Sequence, residues 1–222
     1  MKISSETLAV LQNFAVINNG ILVAEGDTLK TISTNKTVLA SAKIAETFDS
    51  PFCIYALPEF LAVVSTFSQP EFEFGEKEVT ISEGSSKLVY VYADPATIVL
   101  PPNKELSTAD HDVAFTITEA DLSKLAKVGS IMNLEELVIT NGGDGKLSIA
   151  AADVKNPSSN MFETLFTATK IPENDFKAIL KFDNLKLLPD AYAVEVSSKG
   201  LARLSGKTAE YFVAVEASSK FN

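Results

Sequence analysis

At 222 residues, 46% hydrophobic and 22% charged, the chain has material for one large domain or two of roughly 110 residues with real cores. One cysteine and one histidine exclude an intramolecular disulfide and leave almost nothing for zinc sites or Cys/His catalysis. The net charge of −10 argues on its face against nucleic acid, because DNA binders usually carry a basic surplus.

From the N-terminus, Lys2-Ile3 reads as a short strand and Ser4 as a helix cap. Leu8, Leu11, Phe14 and Ile17 follow at helical spacing, and Asn19-Gly20 stops the helix. β-type runs come next at 21–24, 28–32 and 37–40. Residues 52–56 then feed a helix at 57–64, with Pro58 near the favoured first position. Cys53 sits in this apolar run and reads as a buried thiol, packed as a small hydrophobe. Strands at 72–74, 79–82 and 88–92 close the first half. Glu71 and Glu73 alternate with Phe72 and Phe74, which gives one wet and one dry strand face rather than a cation site.

Residues 94–111 read as an interdomain connector. Pro95, Pro101 and Pro102 disfavour regular structure, and the apolar Ile98-Val99-Leu100 must be buried on the flanking domains or on a partner. His111, between Asp110 and Asp112, reads as a solvated linker histidine.

The second half repeats the first. A strand at 113–117 leads into Thr118-Glu119-Ala120-Asp121, which has capping-box spacing, and a helix follows with Leu122, Leu125 and Val128. A shift of 114 aligns Ile3 with Ile117, Leu8 with Leu122, Leu11 with Leu125 and Phe14 with Val128. Strands at 137–140 and 146–150 flank the loop 141–145, whose glycines have neither P-loop nor dinucleotide spacing and form a hairpin turn. A strand at 176–180 leads to a helix at 183–188 stopped by Pro189, and strands at 192–197, 201–204 and 211–216 finish the chain. The architecture is therefore α+β, with domains at 1–93 and 112–222, each holding two helices on mostly antiparallel sheet.

No catalytic or metal-binding constellation emerges, so no enzyme activity, cofactor or metal is expected. No apolar run reaches the ~20 residues that cross a bilayer, and Met1 to Thr7 lacks the basic start of a signal peptide. A soluble intracellular protein with no membrane role is expected. Lys124 and Lys127 share a helix face opposite Leu122 and Leu125, and the fourth helical region carries Lys181 and Lys186. Locally basic helices on an acidic body suit loose, sequence-independent phosphate contact; the plainer role is to solubilise amphipathic helices.

The chain resembles the sliding clamps of T-even-type bacteriophages. The words that carry this are Met1-Lys2-Ile3-Ser4, Gln12-Asn13-Phe14-Ala15-Val16-Ile17-Asn18, Ile54-Tyr55-Ala56-Leu57, Ala93-Asp94-Pro95-Ala96-Thr97-Ile98-Val99, Asn184-Leu185-Lys186-Leu187 and Tyr211-Phe212-Val213-Ala214-Val215-Glu216-Ala217. The resemblance implies a DNA-clamp fold and a head-to-tail homotrimer with pseudo-sixfold symmetry, helices inside and sheets outside. It further implies loading by an ATP-driven clamp loader, tethering of the replicative polymerase and work with late-transcription factors, in the cytoplasm of an infected bacterium. Lys127 and Lys186 match basic inner-helix positions of that family; Lys124 and Lys181 are additional. Ser5, Gln12 and Ser130 stand where relatives carry basic residues, so DNA contact is weighted toward the second domain. Ile98, Val99, Leu100 and Pro101, with Phe212, are the candidate partner-docking residues; their plainer role is to glue the domains together. The competing reading is a non-catalytic, β-rich structural virion or interaction protein, and oligomeric state separates the two.

Overall fold

A computed structural model describes residues 1–102, 106–108, 110–156 and 158–222. The chain divides into two compact units, Met1–Asn103 and Lys104–Asn222. Residues 103–105 and 109 of the expected connector lie outside the described residues.

The first unit opens with helix α1, Ser5–Ile17. Ser4 is held in extended backbone, and its side chain accepts from the Thr7 amide, satisfying one of the donors left orphaned at a helix start. Thr7, Val10, Leu11, Phe14 and Ile17 are buried, a stripe spaced three and four apart that faces the core. Strands β1 (Ile21–Val23), β2 (Gly26–Ile32), β3 (Val38–Phe48) and β4 (Phe52–Ile54) follow. Helix α2, Leu57–Val64, has proline in its first turn and buries Leu57, Phe60, Leu61 and Val64. The meander β5 (Glu71–Phe74), β6 (Glu78–Glu83) and β7 (Ser86–Val91) precedes a 3-10 turn at Pro95–Thr97. β1 pairs with β4, β2 with β3, and β6 with both β5 and β7, all antiparallel. α1 packs on α2, β2 and β3. Phe48, Phe52 and Phe74 meet with ring centroids 4.9–5.2 Å apart, in the offset and edge-on arrangements that aromatic quadrupoles favour. Cys53 is buried as a packing residue, and burial pushes its thiol up, out of the reactive range.

Three expectations change in this unit. Lys2-Ile3 forms no ladder strand; instead the Met1 amino group donates to Phe72 O at 2.7 Å and Phe72 N–H donates to Met1 O at 2.8 Å. β3 runs on to Phe48 rather than ending at Ala40. Its second half is rich in Ala, Lys and Glu, poor strand formers, yet Ala42, Ile44 and Phe48 keep the period-two burial that decides strand formation. The connector also contains the 3-10 turn, which Asp94 caps by accepting from the Ala96 amide at 2.9 Å.

One ionisable group ties α1 to β3. Glu46 accepts from Ser4 N–H at 2.5 Å and from the Thr7 hydroxyl. Burial alone pushes this carboxyl up, but the two donors outweigh it and hold it below the ordinary value of 4.5. A lowered folded-state pKa gives stability that is present above the unfolded value and lost as pH falls through the folded one. Acid unfolding of the native chain should therefore show a contribution below pH 4.5 that Glu46→Gln removes. Equilibrium denaturation at a series of pH values measures it; equal acid limbs for the two proteins contradict it.

The second unit begins with β8, Val113–Ile117, and helix α3, Glu119–Met132. Thr118 caps α3, accepting from Asp121 N–H at 3.1 Å while its hydroxyl donates to the Asp121 carboxylate at 2.6 Å. Asn133 ends the helix in the left-handed conformation. β9 (Glu136–Gly143), β10 (Lys146–Ala152), β11 (Phe162–Lys170), β12 (Phe176–Lys181), β13 (Tyr192–Ser197), β14 (Leu201–Ser205), β15 (Ala209–Ala214) and β16 (Lys220–Phe221) follow. They form an antiparallel sheet in the order β16-β12-β9-β10-β11-β8-β13-β14-β15, with α3 packed on β10 and β11. The β9–β10 turn has positive φ at Asp144 and Gly145, as the tight hairpin expected from the sequence requires.

The helix expected over 183–188 does not form. A single 3-10 turn, Phe182–Asn184, stands in its place, so the described residues contain three α-helices rather than two per domain. Helical hydrogen bonds lose here to two buried tyrosines: Tyr192 donates its hydroxyl to Leu188 O at 2.6 Å, and Leu188 N–H donates to Tyr211 Oη at 3.1 Å. Burial raises both phenols, Tyr211 to about 12, so each stays a neutral hydroxyl. The remaining stretch is too short before Pro189 to recover a helical ladder.

Candidate nucleic-acid interface

The helix faces decide what each unit can present to a polyanion. α1 and α2 contain no lysine or arginine. Their exposed residues include Ser5, Glu6, Gln12 and Val16 on α1 and Pro58, Glu59 and Val63 on α2, a partly apolar surface with an acid on each helix and no base. α3 differs. Leu125 and Gly129 are buried while Lys124 and Lys127 are exposed. The Lys124 ammonium sits 5.5 Å from the centre of the Phe162 ring, a cation–π contact that draws it toward β11. Lys127 is exposed and makes no ion pair among the described residues.

The four expected DNA-facing lysines do not gather on one face. In the sheet register Leu180 stands opposite Leu137, Leu137 opposite Ala151, and Ala151 opposite Phe162. That row shares the face on which Lys124 meets Phe162. Lys181 follows Leu180 by one residue, so strand alternation puts it on the reverse face, where it pairs with Glu216 at 3.4 Å. Lys186 is half-buried. Its segment runs beside α3, where Leu185, Leu187 and Pro189 face Leu122 and Ala126 across a cavity of about 220 Å³. Lys124, Lys127 and the Lys186 segment thus belong to one neighbourhood, and Lys181 does not.

The candidate docking residues also separate. Ile98 and Val99 are half-buried on the first unit, where Asn18 Nδ2 donates to Val99 O at 3.1 Å. Pro101 is half-buried and Leu100 is 39% exposed. Phe212 is buried and offers a partner no surface. His111 is not a solvated linker residue: its ring is half-buried, with Nδ1 3.1 Å from Thr108 O and 3.7 Å from the Glu195 carboxylate.

Several strand edges are open among the described residues, and two of them, neither identified in the sequence, belong to strands that expose large apolar residues. β7 pairs only with β6, and its exposed face carries Lys87, Val89 and Val91. β11 pairs with β10 along its length but with β8 only at Ala168 and Lys170, leaving 162–167 open on that side. Met161 and Leu165 beside this edge are 61% and 52% exposed. Open edges flanked by exposed apolar residues are sites for pairing with another chain. Among the described residues no group of three His, Cys, Asp or Glu side chains could hold a metal ion, and no helix is long and apolar enough to cross a membrane.

Known proteins resemble this chain in both sequence and fold. The family profile described as DNA polymerase processivity factor matches residues 4–100, and that described as gp45 sliding clamp, C terminal, matches residues 114–217. The sliding clamp of Enterobacteria phage T4 is 30% identical over 233 residues, covering 99% of this chain and 98% of that one. The sliding clamp of Vibrio phage KVP40 is 29% identical over 221 residues, covering 98% and 100%. Among solved structures, PCNA of A. fulgidus, crystallised with the C-terminal region of FEN-1, has a TM-score of 0.73 at 13% identity, with 98% of each chain covered. PCNA of Thermococcus kodakaraensis has a TM-score of 0.71 at 13% identity, covering 96% of this chain and 98% of that one. These two likenesses establish the clamp fold, and the phage relatives the family. The chain belongs to the sliding clamps, the processivity factors of DNA polymerases.

Proposed function

We propose that three copies of this chain close head to tail around duplex DNA and tether the replicative polymerase to it. One observation carries the reading: each copy offers two different open strand edges that expose large apolar residues, β7 on the first unit and β11 on the second. Pairing unlike edges is a heterologous contact, which repeats around a closing rotation instead of ending at a dimer. Clamp kinship supports a trimer of two-unit chains, and it supports loading by an ATP-driven clamp loader. Resemblance to T-even-type clamps also supports a role with late-transcription factors. The phage origin of the relatives supports action in the cytoplasm of the infected bacterial host.

DNA would be held by enclosure, with sparse help from charge. An overall charge of −10 keeps the rest of the surface from gripping phosphate. Native mass measurement and retention on circular against linearised DNA test the reading. A trimer that slides off only linear DNA supports it, and a monomer that ignores topology removes it in favour of a structural or interaction protein.

The lysines make a sharper prediction. Replacing Lys124 and Lys127 by glutamine should flatten the dependence of log affinity for duplex DNA on log salt, by about 0.9 for each phosphate no longer neutralised. Lys181→Gln should leave that slope unchanged, because Lys181 faces away from α3 and is paired with Glu216. Binding measured by fluorescence anisotropy across a salt series distinguishes them; an equal effect at Lys181 contradicts the assignment.

A further inference from the structure

Within the second unit, the segment that carries Lys186 is held at both ends and spans a cavity in the middle. At its start the Phe182 amide donates to Glu135 O at 3.0 Å, and the Leu185 amide donates to Phe182 O at 2.9 Å. The Phe182 ring lies so close to α3 that a Cβ on Gly129 would stand 2.9 Å from its Cε2, so glycine is needed there. Between the held ends stand Lys186 and Leu187. Leu185 and Leu187 line the cavity of about 220 Å³ opposite Leu122 and Ala126. The lining of a void forfeits the contacts that packing would supply, so the middle of the segment takes its position from its ends.

The far end is gripped by two buried tyrosines from the sheet, Tyr192 of β13 and Tyr211 of β15. Tyr192 Oη donates to Leu188 O at 2.6 Å and Tyr211 Oη accepts the Leu188 amide at 3.1 Å, so both main-chain polar groups of Leu188 are engaged. The two rings meet edge-on with centroids 6.0 Å apart, and a Cβ on Gly206 would stand 2.8 Å from Tyr192 Cε1. Rings packed this closely fix where their hydroxyls stand. Pro189 follows with its fixed φ, and Asp190 Oδ2 accepts the Lys207 amide at 2.6 Å, which ties the segment to the β14–β15 turn. Burial raises both phenols above their ordinary value of 10.0, so the grip holds across neutral pH. A lysine on a segment held in this way meets phosphate with less ordering left to do than one on a free loop.

We propose that Tyr192 and Tyr211 are positioning residues for DNA contact: by gripping Leu188 they set where Lys186 stands beside the basic face of α3. The proposal rests on the clamp reading above.

The test is a double-mutant cycle on the full chain, with binding to duplex DNA read by fluorescence anisotropy across a salt series. Lys186→Gln should flatten the dependence of log affinity on log salt by about 0.9 for the phosphate it neutralises. Tyr192→Phe keeps the ring against Gly206 and loses only the hydroxyl. It should weaken binding at fixed salt by about twofold to tenfold, the range for one neutral hydrogen bond, and have no further effect in the Lys186→Gln background. Combined with Lys124→Gln it should instead show the sum of the two separate effects, because Lys124 is carried by α3. Tyr211→Phe releases the same Leu188 from its amide side and should act alike, so it takes over the test if a denaturation midpoint shows Tyr192→Phe to be unfolded. A phenylalanine effect that persists without Lys186 overturns the positioning role. So does unchanged affinity in both phenylalanine variants, or a Lys186→Gln slope equal to that of the parent. If the parent chain is not retained on circular DNA and binds duplex without salt dependence, the clamp reading itself fails, and the parent is scored first for that reason.

Discussion

Replacing Phe14 by alanine is expected to cost about 3–5 kcal/mol of stability, the range for deleting a fully buried aromatic ring. Phe14 has no exposed surface and lies at the centre of the buried stripe of α1 between Val10, Leu11 and Ile17. Its carbonyl also accepts the Asn18 amide at 2.9 Å, which ends the helix. α1 is wedged between α2 and the strands β2 and β3, so the walls of the cavity belong to three different elements and cannot collapse together. A loss of that size is a large share of the 5–15 kcal/mol that typically separates folded from unfolded chains. Val16 is the control: it stands on the same helix but is 61% exposed, and Val16→Ala should change stability by no more than about 0.5 kcal/mol. Denaturant titration of both variants reads the difference. A Phe14→Ala midpoint close to that of Val16→Ala contradicts this account of the core.

Most of the elements are legible in the sequence because their signals are local. α3 announces itself through a cap, a first-turn carboxylate and apolar spacing, and it starts one residue beyond Thr118 as the pattern requires. β8 matches its expected limits, since Val113, Phe115 and Ile117 alternate with polar or small residues. β11 gives no clear sign of itself for a physical reason: its inward face is Phe162, Thr164, Phe166 and Ala168, so half of those positions carry no strong apolar signal. The helix expected at 183–188 fails in the opposite way. Its composition is compatible with a helix, but Tyr192 and Tyr211 take the backbone of Leu188, and both lie beyond Pro189, outside the segment whose spacing is read.

The site is legible in kind but not in grouping. Lys124 and Lys127 are on one helix, and three-residue spacing alone puts them on one face. Lys181 can be separated from them only through sheet register, which needs the partner strands β9, β10 and β11. Phe212 looks in sequence like an available aromatic near the chain's end; its place in the interior of β15 follows from pairing with β14, which no local pattern reports. Thr108 and His111 have the local character of linker residues because their partner, Glu195, is distant in sequence.

The largest effect on function is expected at the open edges. In the proposed ring, β7 of one copy adds to the 162–167 edge of β11 in the next, so main-chain bonds give the contact its strength and the flanking side chains give it its selectivity. Val89 and Leu165 both lie on the exposed face of their strands, away from the inward Tyr90 and Phe166. Joined edge to edge, the two exposed faces become one surface, and cross-strand or diagonal neighbours on it lie within reach of long side chains. Val89→Lys combined with Leu165→Lys then puts like charges on both sides of every junction and removes the apolar contact. A trimer contains three identical junctions, so the penalty is repeated three times per ring. At micromolar concentration the double lysine variant should run as a monomer in sedimentation and lose retention on circular DNA by at least tenfold, with its own fold intact because both residues are solvent-facing. Combining Val89→Lys with Leu165→Glu should restore both trimer and retention, since opposite charges across strands attract where like charges repel. Rescue by the charge-reversed pair is the decisive part: general destabilisation has no reason to respond to the sign of residue 165. A double lysine variant that remains trimeric places the subunit contact elsewhere and removes the two-edge ring.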